Sequence, residues 1–387
     1  IRRQRQMCIR DSLNTCRFLW KQVKFPTATD TSNTTTQVLK EGEVQGSDVA
    51  AHSTGILDIK TTILPNADAL FLTAIDKYGH ELWRWTFPVD KLNQTNEVFS
   101  PLSGKATYSE TENELTVKAK NHTFIFSKRD GQLKGVSVNN HKISFANGPR
   151  FIGARRADRS LDQFYNHDDE KAKEKDRTYS EFPDAAVFTK LEVKEDGGNL
   201  IVTANYKLGN LDKAQWTINP NGEAALDYTY NFSGVVDLIG ISFDYPEDQV
   251  ISKRWLGAGP YRVWQNRIHG TQYDVWENDY NDPIPGETFT YPEFKGYFDS
   301  VSWMNIRTKE GTISLTNETP DSYIGVYQPR DGRDRLLYTL PESGISVLDV
   351  IPPVRNKVNS TDLCGPSSQP KWVNGPQTGR IIFRFME

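Results

Sequence analysis

The sequence predicts an all-β chain in two parts. A small sandwich spans residues 13–90, and a large antiparallel double sheet spans 105–387, with a polar linker at 91–104. Three observations carry this reading. Apolar and polar residues alternate with period two through most of the chain, the pattern of half-buried strands. Dipeptides suited to tight hairpins separate those runs. No window of eleven or more residues carries an apolar stripe at helical spacing.

The elements follow in order. In LDIKTTIL, Leu57, Ile59 and Ile63 share one face, opposite Asp58, Lys60 and Thr62. HELWRWTF closes the small sandwich. In NLIVTANYKL, Leu200, Val202, Ala204, Tyr206 and Leu208 line up on one side. AALDYTYNF sets Leu226, Tyr228, Tyr230 and Phe232 against Ala225, Asp227, Thr229 and Asn231, and GRIIFRF ends the chain with Ile381, Phe383 and Phe385 together. The turns fall at Asp130-Gly131, Gly197-Gly198, Asn221-Gly222, Glu310-Gly311 and Asp331-Gly332. DDEKAKEKDRT (168–178) carries almost only charge and reads as a solvated loop or short surface helix. No repeat of 20–50 residues is visible, which argues against a propeller or solenoid.

Composition excludes several function classes. A net charge of −4 leaves no basic footprint for nucleic acid. No run approaches the ~20 apolar residues of a membrane helix. Cys8, Cys16 and Cys364 have neither disulfide-framework nor zinc-site spacing, so no metal and no cofactor is expected. Nine Trp against three Met hint at polysaccharide chemistry. Residues 1–12, IRRQRQMCIRDS, lack the apolar core of a secretory signal. They look like translated adaptor sequence of the kind found in metagenomic assemblies, so the native chain is expected to begin within a longer protein.

Four stretches could carry a site. RWLGAGPYRVWQNR (254–267) combines aromatics that stack on sugar CH faces with guanidinium donors for hydroxyls. Its two readings are a corner set by Gly257, Gly259 and Pro260, or a sugar-facing edge of Tyr261, Arg262, Trp264 and Arg267. HGTQYDVWENDYND (269–282) reads as a long hydrated loop, or as one that carries Trp276 toward bound sugar. Its Asp274, Asp279 and Asp282 lack the turn glycine of a calcium loop. Trp372, in the loop Asp362 to Gly375, is either tucked beneath that loop or offered to a ligand. YNHDDEK (165–171) places His167 beside Asp168 and Asp169, which is most simply a solvated cluster.

At 124–149 the chain reads FIFSKRDGQLKGVSVNNHKISFANGP. Further on come QWTINPNGEAALDYTYNF and GISFDYPEDQVISKRWLGAGPYRVWQNR, and a loop, DLCGPSSQPKWVNG, precedes the last strand. In order and spacing, residues 105–387 resemble the C-terminal small-chain domain of family 2 β-galactosidases. Residues 13–90 resemble the Ig-like domain that precedes it there. The resemblance implies an Ig-like β-sandwich followed by a galactose mutarotase-like supersandwich. In that family catalysis belongs to an upstream barrel with paired carboxylates. No alternating βα pattern exists here, so no catalytic residue is expected in this chain.

The chain departs from the family in three places. RFIGARRADRSLDQFYN follows N-G-P, Arg262 stands where an acidic residue is common, and only Trp372 could supply the family's loop tryptophan. These differences leave the sugar open.

The expected function is the non-catalytic C-terminal portion of a family 2-like glycoside hydrolase. It would bind carbohydrate through Tyr261, Arg262, Trp264, Arg267, Trp276 and Trp372, with the upstream catalytic barrel of the same polypeptide as partner. The alternatives are a free-standing carbohydrate-binding module, or a sandwich epimerase or polysaccharide lyase. The last would pair His167 or His269 with Glu181, Glu277 or Glu293. A bacterial, periplasmic or secreted setting fits better than a cytoplasmic one.

Overall fold

The computed structural model describes residues 13–30, 35–49, 53–89, 104–156, 179–280, 295–319, 321–328, 340–354 and 365–387. Among them, regular structure is strand, apart from short 3-10 turns such as Leu13–Thr15 and Pro366–Ser368. The chain divides into two compact units. One comprises Ile1–Gln94 with Gln272–Val275, the other Thr95–Thr271 with Trp276–Glu387. His167 and the charged stretch 168–178, the Asp331-Gly332 turn, Asp282, Glu293, Cys8 and Cys364 lie outside the described residues.

Among its described residues the first unit holds one four-stranded antiparallel sheet, in the order Gln37–Gln45, Arg17–Lys24, Ala69–Ile75, Glu81–Pro88. Register aligns Trp20, Leu72 and Trp85 on one face. Trp20 is buried there, with the Lys40 ammonium 5.8 Å from its ring centroid. Residues 57–64, read from their alternation as a strand, join no ladder. The side chain of Gln22, fully buried, holds this segment instead. Its amide donates to Thr61 Oγ1 and the Thr62 carbonyl, and its Oε1 accepts from the Leu64 amide at 2.8 Å. One glutamine thus supplies the partners that a neighbouring strand would, and Ile56 and Ile63 stay exposed.

In the second unit, two large antiparallel sheets enclose the main core. The described strands of one run Val187–Asp196, Asn199–Lys207, Leu211–Ile218, Ala224–Asn231, Pro376–Met386, Gly311–Asn317, Trp303–Thr308, Val250–Gly259, and then the part of the strand Gln272–Asp279 from Trp276 to Asp279. The other runs Phe298–Asp299, Tyr323–Gly325, Ile345–Val350, Leu238–Asp244, Ala146–Arg156, Leu133–Val138, His122–Ser127, Glu114–Ala119, Thr107–Glu110. Period-two patterning turns one face of each strand inward. Phe243 of one sheet meets Trp216 and Phe383 of the other, at centroid distances of 5.9 and 5.5 Å, and Phe145 stacks on Phe243 at 4.6 Å. Leu226, Tyr230, Ile381 and Phe383 are all fully buried, as the alternation of their strands predicts.

A second apolar cluster, which includes Ile152, Leu238, Trp264, Tyr297 and Leu348, covers part of the outer face of the Ala146–Arg156 sheet. That sheet is therefore buried on both sides over its central strands.

The stretch 272–279, read as loop, is a strand. Tyr273, Val275 and Trp276 are strong strand formers and outweigh the interspersed acids. Asp274 is paired within the first unit, with Arg84 at 3.0 Å and Thr36 Oγ1 at 2.6 Å.

Candidate functional site

The strand Val250–Gly259 delivers the first candidate stretch. Trp255 is fully buried, packs edge-on to Phe298 at 5.0 Å and donates its Nε1–H to the Ala258 carbonyl at 3.0 Å. Gly259 lies directly under the indole of Trp276, so a Cβ there would run into the ring. Trp276 is half-buried and donates Nε1–H to the Gly257 carbonyl at 3.2 Å. The glycines therefore make room for an indole as well as a turn.

Beyond Pro260 the chain makes a compact bend, bridged from Trp264 to Arg267 and from Val263 to Tyr297. Arg262 is buried with its guanidinium over the Tyr327 ring at 5.3 Å. Trp264 is buried edge-on to Tyr297 at 5.8 Å. Tyr261 and Arg267 are exposed. The six candidates thus divide by exposure. Arg262 and Trp264 form framework, Trp276 lies on the strand, and Tyr261, Arg267 and Trp372 face outward.

Trp372 sits in the short strand Lys371–Val373, which pairs with Gly234–Val236 and places Trp372 opposite Val235. Alternation sends Val373 into the core and leaves Trp372 69% exposed. Of the two readings of this loop tryptophan, the structure has it displayed.

What holds this strand in place was not legible in the sequence. Gln265 and Asn266, at the tip of the 260–268 bend, reach the segments on either side of 355–364. The Gln265 amide nitrogen donates to the Pro352 carbonyl at 3.0 Å, and its side chain donates to the Gln369 carbonyl at 2.7 Å. Asn266 Nδ2 donates to the Val354 carbonyl and Ser368 Oγ at 2.7 and 2.9 Å, and its Oδ1 accepts from the Val354 amide at 2.9 Å.

From below, the buried Arg156 donates to the Ser368 carbonyl at 2.8 Å. Its own amide donates to Asp237 Oδ2 at 2.9 Å, and its guanidinium lies 3.7 Å from Asp237 Oδ1. A buried charge needs a partner of this kind. No local spacing announces these contacts, because they span 81 to 212 positions of sequence.

Two carboxyls complete the electrostatic picture. Burial pushes the Asp299 carboxyl above the usual aspartate range, against hydrogen bonds from Ser300. Nearby Asp321 adds to the rise and Lys371 opposes it. Burial likewise raises Asp349, which accepts the Tyr230 hydroxyl. Tyr323 aligns with both Asp299 and Leu348, so Asp299 shares the sheet face of Leu348, and Asp349 takes the opposite face. The two acids do not form a dyad.

His269, Glu181 and Glu277, named for an acid–base pair, are exposed, and their partners His167 and Glu293 fall outside the described residues. Among the described residues no group of three or more His, Cys, Asp or Glu could hold a metal ion, and no helix is long and apolar enough to cross a membrane. The arrangement offers one displayed indole and flanking polar groups.

No curated protein sequence matches this chain. Among solved structures, galactose 1-epimerase from Lactobacillus acidophilus is similar at 10% identity and a TM-score of 0.41, over 74% of this chain and 99% of that one. A galactose mutarotase-like protein from Lactobacillus casei is similar at 10% identity and a TM-score of 0.35, over 72% and 99%. The family model described as beta galactosidase small chain matches residues 118–342, more than half of the sequence. Those residues run from the first sheet strands through the Arg156–Asp237 pair and the 254–267 bend, and the chain belongs to the β-galactosidase small chain family.

Proposed function

We propose that this chain is a carbohydrate-binding, non-catalytic part of a family 2-like glycoside hydrolase. The large unit would form one wall of a sugar pocket beside a catalytic barrel, and the small unit would act as an Ig-like spacer. The observation that supports this most is Trp372. It is a large indole held 69% exposed on a strand whose approach is fixed by buried Arg156 and by Asn266. Exposing that much apolar ring has a cost, which stacking against a sugar would offset. Tyr261 and Arg267 are offered as further contacts, with Arg262, Trp264 and Trp276 as the framework behind them.

Affinity electrophoresis of the chain through gels containing soluble galactan, xyloglucan or laminarin tests this reading. At least one polysaccharide should retard the wild-type chain, and Trp372→Ala should clearly weaken that retardation without lowering the melting temperature. If no polysaccharide retards the protein, or if Trp372→Ala migrates like the wild type, the reading fails.

A further inference from the structure

The strand Leu238–Asp244 begins beside the Arg156–Asp237 pair and ends, seven residues and about 23 Å away, at a separate cleft. This cleft has a volume of about 420 Å³, within the ~300–1,000 Å³ range of small-molecule sites. It opens where three neighbouring strands of the sheet, Ala146–Arg156, Leu238–Asp244 and Ile345–Val350, meet their loops.

Its polar centre is the pair Arg150–Asp244, with side chains 28% and 44% exposed. Asp244 is already aimed. One carboxylate oxygen takes the Arg150 guanidinium, and the other accepts Asn147 Nδ2 at 2.6 Å. Asn147 takes a left-handed backbone conformation, φ 52°, which asparagine tolerates better than most residues. Lys134 donates to its Oδ1 at 3.3 Å. A carboxylate has about four acceptor positions, so Asp244, which lines the cleft, retains acceptor capacity beyond these two partners. The guanidinium, which also reaches the Asn147 and Glu342 carbonyls at 3.5 Å, has five donors and keeps some beside this carboxylate. Tyr245, Pro246 and Ala146 supply carbon surface around this pair.

The charges of the lining select the ligand class. Arg150 is neutralised by Asp244. Glu247 is occupied by Lys295, by the Tyr280 hydroxyl at 2.6 Å and by the Gln328 amide at 2.7 Å. The two remaining charged lining residues, Lys142 and Glu342, are exposed and opposite in sign, so no net charge favours an anion or a cation. Paired acceptors and donors beside apolar surface instead match the vicinal hydroxyls and CH faces of an uncharged sugar. We propose that the Arg150–Asp244 cleft is a second carbohydrate site, one that takes a neutral pyranoside through a vicinal diol and is independent of Trp372.

Saturation-transfer NMR and titration with methyl β-galactoside, methyl β-glucoside and methyl α-mannoside test the proposal on the whole chain. The Trp372→Ala variant removes the other candidate site. In that background at least one glycoside should still bind, and adding Asp244→Asn should weaken it fivefold or more. Ala146→Trp, which fills the cleft while keeping both charged residues, should do the same and covers the case in which Asp244→Asn fails to fold. The proposal is overturned if Trp372→Ala abolishes all glycoside binding, if the wild type binds none, or if folded cleft variants lose less than fivefold. Displacement of the glycoside by inorganic sulfate would also overturn it, since the cleft would then be an anion site.

Discussion

Asn266 and Val354 pair as two strand residues would, although one partner is a side chain. The asparagine amide donates to the Val354 carbonyl at 2.7 Å and its oxygen accepts the Val354 amide at 2.9 Å. Val354 is buried, so both of its backbone groups depend on this exchange. The same Nδ2 also reaches Ser368 Oγ, which ties the bend at 260–268 to the segment that leads into Trp372.

Replacing Asn266 by Ala leaves the Val354 amide and carbonyl unpaired. The expected loss is about 1–3 kcal/mol, read from urea unfolding of the chain. Asn266→Asp should also destabilise, because a carboxylate cannot donate to the Val354 carbonyl. If either variant unfolds at the wild-type midpoint, the clamp contributes nothing.

Glu223 and Arg384 form a largely buried pair at 2.6 Å, supported by Asn219 Nδ2 on Glu223 at 2.7 Å and Thr316 Oγ1 on Arg384 at 3.0 Å. Removing one charge strands the other, so Glu223→Ala should cost about 3–5 kcal/mol. The double variant Glu223→Leu with Arg384→Met should recover most of that loss. Equal stability of the single and double variants would show that the pair is not the source.

Asp349 predicts a pH effect of a definite sign. Burial raises its carboxyl pKa in the folded chain, with the Tyr230 hydroxyl bond opposing the rise. The folded state therefore holds this proton more tightly than the unfolded state. The stabilisation is fully present below the ordinary aspartate value of 3.8 and is lost as pH rises through the folded value. Asp349→Asn removes the ionisation and can still accept from Tyr230. Melting scans between pH 4 and 8 should show the variant gaining on the wild type as pH rises. A constant difference across that range would refute the assignment.

Much of the fold was legible because strand patterning is local. A side-chain period of two is printed on the residues themselves, as with Leu226, Tyr228 and Tyr230, and burial follows once any second sheet covers that face. The stretch 57–64 shows the limit of this logic. Alternation reports which face is apolar, but a strand also needs an open edge, and Gln22 took that place.

The candidate site was legible only in part. Residue chemistry singled out Trp372 and the 254–267 stretch, and alternation within Lys371–Val373 explains why the indole faces outward. Burial then divided the stretch, because Trp264 and Arg262 lie over Tyr297 and Tyr327 while Tyr261 and Arg267 do not. That division depends on the neighbours that arrive from residues 297 and 327.

By itself the sequence determined the all-β class and the family, since both rest on short-range patterns of apolar residues, turns and motif order. The tertiary structure alone decided how Trp372 is held, that Asp299 and Asp349 lie on opposite faces of a sheet, and that Arg150 and Asp244 meet at a cleft. The first and last of these are pairings of charges or hydrogen-bond groups from segments distant in sequence, and the second follows from the register of such segments. Such pairings leave no periodic trace in the chain, because they are set by sheet order and register, which close only when the two sheets pack.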